Sequence, residues 1–143
     1  MEQIFLVIYK QIDYIFNVRE EINNWFKQSL ADLKTAKDII KTDNYYASVF
    51  FCHQSVEKGL NALSLKLHRK TFNTHNLVVF GKRVDIPEKY LSWLRELNPS
   101  YIVTRYPDAA NGIPAEMYDK DIAEKHSKYA EEIIQWIKKQ IQK

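Results

Sequence analysis

Cysteine, glycine and proline are all scarce in this chain of 143 residues, which holds one, three and four of them. A lone cysteine, Cys52, excludes a disulfide framework; on an apolar helical stripe it reads as a small core residue in a reducing cytosol. No CxxC or HxxxH spacing occurs, so neither a metal site nor a cofactor is expected. Charge of one sign is also missing. The net value is +3 with acids and bases interleaved, too weak by itself to indicate nucleic acid, yet compatible with RNA. Long hydrophobic runs are absent: the run at 4–9 stops at Lys10, too short and wrongly flanked for a signal peptide or a membrane span. A cytoplasmic protein without membrane contact is the expectation. There is no repeat, linker or low-complexity tract. Few helix breakers among long periodic runs predict an all-α domain with a core of its own.

What is present centres on residues 43–68, DNYYASVFFCHQSVEKGLNALSLKLH. Val49, Cys52, Val56, Gly59/Leu60, Leu63 and Leu67 step by three and four, as a buried helix stripe must. Beside them runs a polar row of His53, Gln54, Glu57, Lys58 and Asn61, either satisfied inside the core or forming the floor of a site. Ile22, Trp25/Phe26, Leu30, Leu33, Ala36 and Ile40 predict a preceding helix over 20–42. The short break at Thr42-Asp43-Asn44, with Asp43 or Asn44 as a cap, folds the two into an antiparallel hairpin. Residues 1–18 fit a helix stripe or a strand equally and are expected as an appendage, packed on the domain or on a partner, ahead of a domain at 19–143.

Thr74 is the expected cap of a short helix closed by Gly81, and Asp85 with Pro87 the start of another whose buried side is Tyr90/Leu91, Leu94 and Leu97. Residues 100–117 carry Pro107, Pro114 and an Asn111-Gly112 turn, which predicts an ordered non-helical loop. A last long helix follows Tyr118-Asp119, with a capping box from Asp121 to Glu124 and a stripe of Ile122, His126, Tyr129/Ala130, Ile133, Ile137 and Ile141. The expected architecture is an antiparallel up-and-down helical bundle with three long and one or two short helices.

Several residues are candidates for chemistry. Arg105, ahead of a proline-fixed turn, suits a phosphate fork, or else a structural ion pair with Asp108 or Glu57. Tyr106 can stack on a base or simply pack. Lys58 can neutralise phosphate or stand as a solvated lysine. His53 and Glu57, four apart on one helix, face the same way as an acid–base pair or as a satisfied buried histidine and its neighbour. His126 lies on an apolar stripe and reads as core before base. His75 beside Thr74 reads as a cap-region residue.

Four pieces in order resemble the HEPN domain family (higher eukaryotes and prokaryotes nucleotide-binding). They are DLKTAKDII, YYASVFFCHQSVEKGLNAL, Thr74-His75-Asn76-Leu77, and Thr104-Arg105-Tyr106-Pro107-Asp108 before a final long helix. The resemblance covers 19–143. It implies a helical bundle, usually a homodimer, that binds nucleotide or RNA beside a minimal nucleotidyltransferase in a toxin–antitoxin-like pair. The residues' own chemistry makes Arg105, Tyr106, Asp108, Lys58 and Glu57 the candidate nucleotide-binding set. Active ribonucleases of the family carry Arg, four to six residues, then His at the start of the last helix. Here Arg105 is followed by Tyr106-Pro107-Asp108-Ala109-Ala110-Asn111-Gly112, without a histidine. The one pair with that spacing, Arg69 and His75, lies in the loop after the central helix. The expectation is therefore a nucleotide- or RNA-binding module. The alternatives are a metal-independent RNA endonuclease with a variant site, combining Arg105 with His53, His126 or His75, and a non-catalytic interaction subunit.

Overall fold

The computed structural model describes residues 1–143. Three long helices carry the fold: α1 (Glu2–Ile40), α2 (Tyr45–His68) and, at the end of the chain, α7 (Lys120–Ile141). Between α2 and α7 lie α3 (Leu77–Arg83), α4 (Glu88–Leu97), α5 (Ser100–Val103), α6 (Pro107–Ala110) and a 3-10 turn at Pro114–Glu116. No helix is long and apolar enough to cross a membrane.

The tight turn after α1 forces the hairpin. Asp43 takes a left-handed conformation, φ 61°, and Thr42 Oγ1 donates to the Ile39 carbonyl at 2.7 Å. Asn44 occupies the N-cap position without capping by its side chain; its amide donates to Thr42 Oγ1 instead. The short helices then carry the chain back to the start of α2. As a result α7 runs parallel to α2 and antiparallel to α1: Lys66, near the end of α2, donates to the last carbonyls of α7, Gln140 and Ile141.

Helix α2 lies in the middle, with Val49, Cys52, Val56, Leu60 and Leu63 fully buried. At Gly59 both neighbours come close: a Cβ there would meet Ile137 Cδ1 and Ser29 Oγ, each at 3.1 Å. The α1 side of this packing is more polar than the stripe predicts. On α1, Leu30 is exposed whereas Ser29 and Asp32 are buried; on α2, Leu67 at the end of the stripe is exposed as well. Ser29 Oγ donates to the Ser55 carbonyl at 2.5 Å and Ser48 Oγ to the Ala36 carbonyl at 2.7 Å, so small hydroxyls bring the two backbones together.

Three local expectations change, and for residues 2–17 one of the two alternatives is taken. They are helical, not a strand, and do not pack on the bundle. With no proline or glycine before Ile40, they continue α1 outward, and the first buried side chain is Val18. Residues 100–117 are not a non-helical loop. Pro99, Pro107 and Pro114 each sit at the head of a short helix, where a missing N–H is harmless, so the prolines start structure there. Gly81 lies inside α3 and does not close it: a Cβ would stand 2.5 Å from Leu94 Cδ1, so the glycine serves the α3–α4 contact. The caps also shift by a residue or two. Asn76 Oδ1, not Thr74, accepts from Val78 and Val79; Asp85 stands in the turn ahead of α4 at φ 54°; and Asp119, not Asp121, caps α7 by accepting from the Ile122 amide at 2.9 Å.

Candidate functional site

The polar row of α2 faces the loop that follows it and the short helix α5. Glu57 is nearly buried, a position that a carboxylate tolerates only with hydrogen-bonding partners. It has two. Gln54 Nε2 donates to Oε2 at 3.3 Å, and His75 Nδ1 donates to Oε1 at 2.6 Å. A carboxylate only accepts, so this bond puts a proton on Nδ1, and in the neutral imidazole the lone pair then lies on Nε2. The side chain of His75 is 54 % exposed, so its ring is both oriented from behind and open in front.

Tyr101 assembles the rest. The His75 ring stacks on it at 4.0 Å with planes 13° apart, and the Arg105 guanidinium lies 4.3 Å from its centroid. Arg105 Nε donates to the Tyr101 carbonyl at 2.7 Å, which anchors the side chain one helical turn back. Neither ion pair expected of Arg105 forms. Glu57 is taken by His75, and Asp108 stands in the first turn of α6, where a carboxylate suits the helix N-terminus. The guanidinium instead lies among three rings, 5.2 Å from Phe50 and 5.0 Å from Tyr106, with its terminal nitrogens unclaimed by any carboxylate.

His53 sits behind this cluster, fully buried, its ring 5.6 Å from Tyr101 and its Nε2 without a partner. Burial pulls its pKa down to about 4, opposed by the His75 backbone and reinforced by the charges of Arg105 and Lys58, so it is neutral at physiological pH. It does not bond to Glu57. Lys58 is engaged in an ion pair with the buried Asp32, which Gln28 supports at 3.0 Å. His126 lies apart, in the seam between α4 and α7. Burial takes its pKa to about 4, with Glu96 opposing and Lys125 reinforcing the shift. Arg69 and His75 do not meet: Arg69 ends α2 and lines a different cleft. No three His, Cys, Asp or Glu side chains converge to hold a metal ion.

Of the sequence candidates, then, the fold gathers Arg105, Tyr106, Glu57 and His53, leaves Asp108 and Lys58 at the edge, and sets His126 aside. His75, one of three histidines weighed as a partner for Arg105, becomes the central group, and the fold adds Tyr101 as the platform. Two adjoining grooves meet at His75. One, about 410 Å³, is lined by Trp25, Glu57, Asn61 and Phe72; the other, about 330 Å³, by Asn76, Asn98, Tyr101 and Ile102. A histidine with an open Nε2, a free guanidinium fork and a stacked aromatic can bind a phosphate and move a proton beside it.

Comparison with known proteins agrees in scope with this domain. The family model described as the HEPN domain matches residues 22–140. A Methanocaldococcus jannaschii protein named "putative toxin MJ1304" is 30 % identical over 128 residues, spanning 80 % of this chain and 84 % of its own. Among solved structures, TT1696 from Thermus thermophilus superposes with a TM-score of 0.78 at 26 % identity, over 83 % of this chain and 97 % of that one. ST0689, described as an archaeal HEPN homologue, gives a TM-score of 0.73 at 27 % identity, over 84 % and 97 %.

Proposed function

The chain belongs to the HEPN domain family, and from that premise we propose that it is a toxin-like RNA-binding protein whose His75, Glu57 and Arg105 cleave RNA without a metal. The observation that carries this reading is the bond from His75 Nδ1 to Glu57 Oε1 at 2.6 Å, with His75 and Arg105 against the same tyrosine ring. The His75 base stands in for the histidine missing from the seven residues after Arg105.

The chemistry follows from the groups. Nε2 of His75 takes the proton of a ribose 2′-hydroxyl, and the oxygen attacks the adjacent phosphorus. Glu57 holds the ring in place and stabilises the imidazolium that forms, as a carboxylate behind a catalytic histidine does. Arg105 neutralises the non-bridging oxygens as charge builds on them. The bond to the 5′ oxygen breaks, that oxygen takes a proton from water, and a 2′,3′-cyclic phosphate remains. Tyr106, half exposed beside Arg105, offers a face to a flanking base.

A second reading, binding without cleavage, is favoured by one feature: His75 is the only histidine of the cluster open to solvent, so no second acid stands ready for the leaving oxygen. Under either reading we assign the protein to the cytoplasm and give it a second copy of itself and a minimal nucleotidyltransferase as partners. Ile102, exposed beside the site, and Ile113 and Met117, exposed on the segment after α6, suit a surface that a protein covers.

The test is incubation of labelled RNA with the purified protein in chelator. Discrete products ending in cyclic phosphate, lost in both His75→Ala and Arg105→Ala, are the expected result. Binding that depends on Arg105 with no product would establish the second reading. RNA binding indifferent to both changes would sink the site.

A further inference from the structure

The largest concavity of the molecule is not at His75. It lies at the foot of the projecting part of α1, where α2 and α7 both end, and its volume is about 510 Å³. Arg19, Lys66, Arg69 and Lys143 line it with Asn23, and no acidic side chain does. We propose that this cleft is a second RNA site, gripping the phosphodiester backbone of the strand whose reactive nucleotide lies at His75. The identity of the ligand rests on the reading above; the cleft and its charge do not.

Three observations carry it. First, Arg19, Arg69 and Lys143 share one concave wall and none of them forms an ion pair; Lys143 Nζ donates only to the neutral Gln140 Oε1. A concave cluster of unpaired like charges raises the local potential and attracts anions. Two helix C-termini would offset that charge, but Lys66 Nζ already satisfies the final carbonyls of α7.

Second, Arg69 is held in a strained conformation. It ends α2 with φ 61° and ψ 22°, its N–H bonded to the Leu65 carbonyl. Glycine takes that conformation without cost, whereas a residue with a Cβ does not. Stability alone would favour glycine here, and the chain keeps a guanidinium instead.

Third, the cleft connects to the site. The loop that leaves it at Arg69 passes Lys70 and Phe72 and arrives at His75, and Phe72 walls the groove that contains His75. Lys70 Nζ and the Arg83 guanidinium lie 5.5 Å and 4.0 Å from the Phe72 ring, so two further cations stand midway along the route. The Lys70 carbonyl accepts from Ser64 Oγ at 2.6 Å, which fastens the loop to α2. At no more than about 3.5 Å per residue, the span from Arg69 to His75 is within reach of one short single strand.

The double variant Arg19→Gln/Arg69→Gly tests this, with binding of a single-stranded RNA oligonucleotide measured across a salt series. Arg69→Gly removes strain, so the variant should melt at or above the wild-type temperature. Its RNA affinity should fall several-fold at low salt, and the slope of log K against log salt should become shallower by about 1.4, two phosphate contacts at about 0.7 each. Cleavage of a dinucleotide that reaches only His75 should not change. Unaltered affinity and slope would overturn the cleft while leaving the His75 reading intact. Loss of binding in this variant, with no cleavage in any protein, would keep the cleft and overturn the catalytic reading. Wild-type protein that takes an acidic peptide at the cleft and ignores RNA would overturn it in favour of a protein-docking surface.

Discussion

Two regions of this molecule use nearly the same parts. In the seam between α4 and α7, Trp93 stacks on Tyr129 at 4.4 Å with planes 11° apart, Lys125 lies 5.6 Å from the tyrosine ring, and His126 is buried nearby. In the cluster under α5, Tyr101 carries a stacked histidine and a cation in the same manner. The carboxylate separates them. In the seam, Glu96 pairs with Lys125 at 3.0 Å, which leaves His126 Nδ1 without a partner. In the cluster, Glu57 is bonded to the histidine and the histidine is half exposed. A stack and a cation hold a fold together. They become a candidate site only where a buried acid orients an open base.

The strongest way to break this comparison is to remove the base on each side. His75→Ala should lower RNA cleavage by about 10²–10⁴-fold, the range for a general base. Glu57→Gln should fall in the same direction with RNA affinity kept, and His126→Leu should cleave as wild type does. A His126 variant as inactive as the His75 variant would remove the distinction.

Acid stability sharpens it next. Burial holds both His53 and His126 near 4, against 6.5 in an unfolded chain. Below pH 6.5 the unfolded state binds protons that the folded state refuses, so stability falls as pH falls and levels off near 4. Each histidine contributes about 3 kcal/mol to that loss. Urea unfolding followed from pH 7 to pH 4 measures it, and replacing either buried histidine by an apolar residue should flatten the curve by its share. A smaller effect separates the site from the scaffold. Asn76→Ala removes the cap of α3 and should cost about 1 kcal/mol in thermal unfolding. It also loosens the residue after His75, so cleavage should weaken further than the stability change accounts for. Trp93→Leu forfeits its stacking, about 1 kcal/mol beyond area, with no change in cleavage.

The sequence is legible where structure is local. The stripe of α2, the hairpin turn and the long last helix follow from spacings of three and four, and the structure keeps them nearly to the residue. Residues 100–117 mislead because proline breaks a helix from inside and starts one from its first turn, and the chain alone does not say which applies. His75 reads as a cap-region residue because its partner, Glu57, stands eighteen residues away on another element. Only the fold turns that separation into a bond. Tyr101 has a readable signal, its spacing of four from Arg105, but Tyr106 beside the arginine competes for the same role.

The shortness of α5 and α6, four residues each, fixes an order of events. Isolated helices of fewer than about 12–15 residues are marginal in water, so these two exist only while docked. The hairpin of α1 and α2 needs contacts close in sequence and can form early; the segment that delivers Tyr101 and Arg105 must wait for α2 to exist. Thr104 Oγ1 donates to the Ser100 carbonyl at 2.5 Å, a buried bond inside α5 that closes the turn on itself and leaves its docking to packing on α2. In hydrogen exchange the amides of α5 and α6 should open while those of α2 stay closed. The protein is thus folded before it is armed.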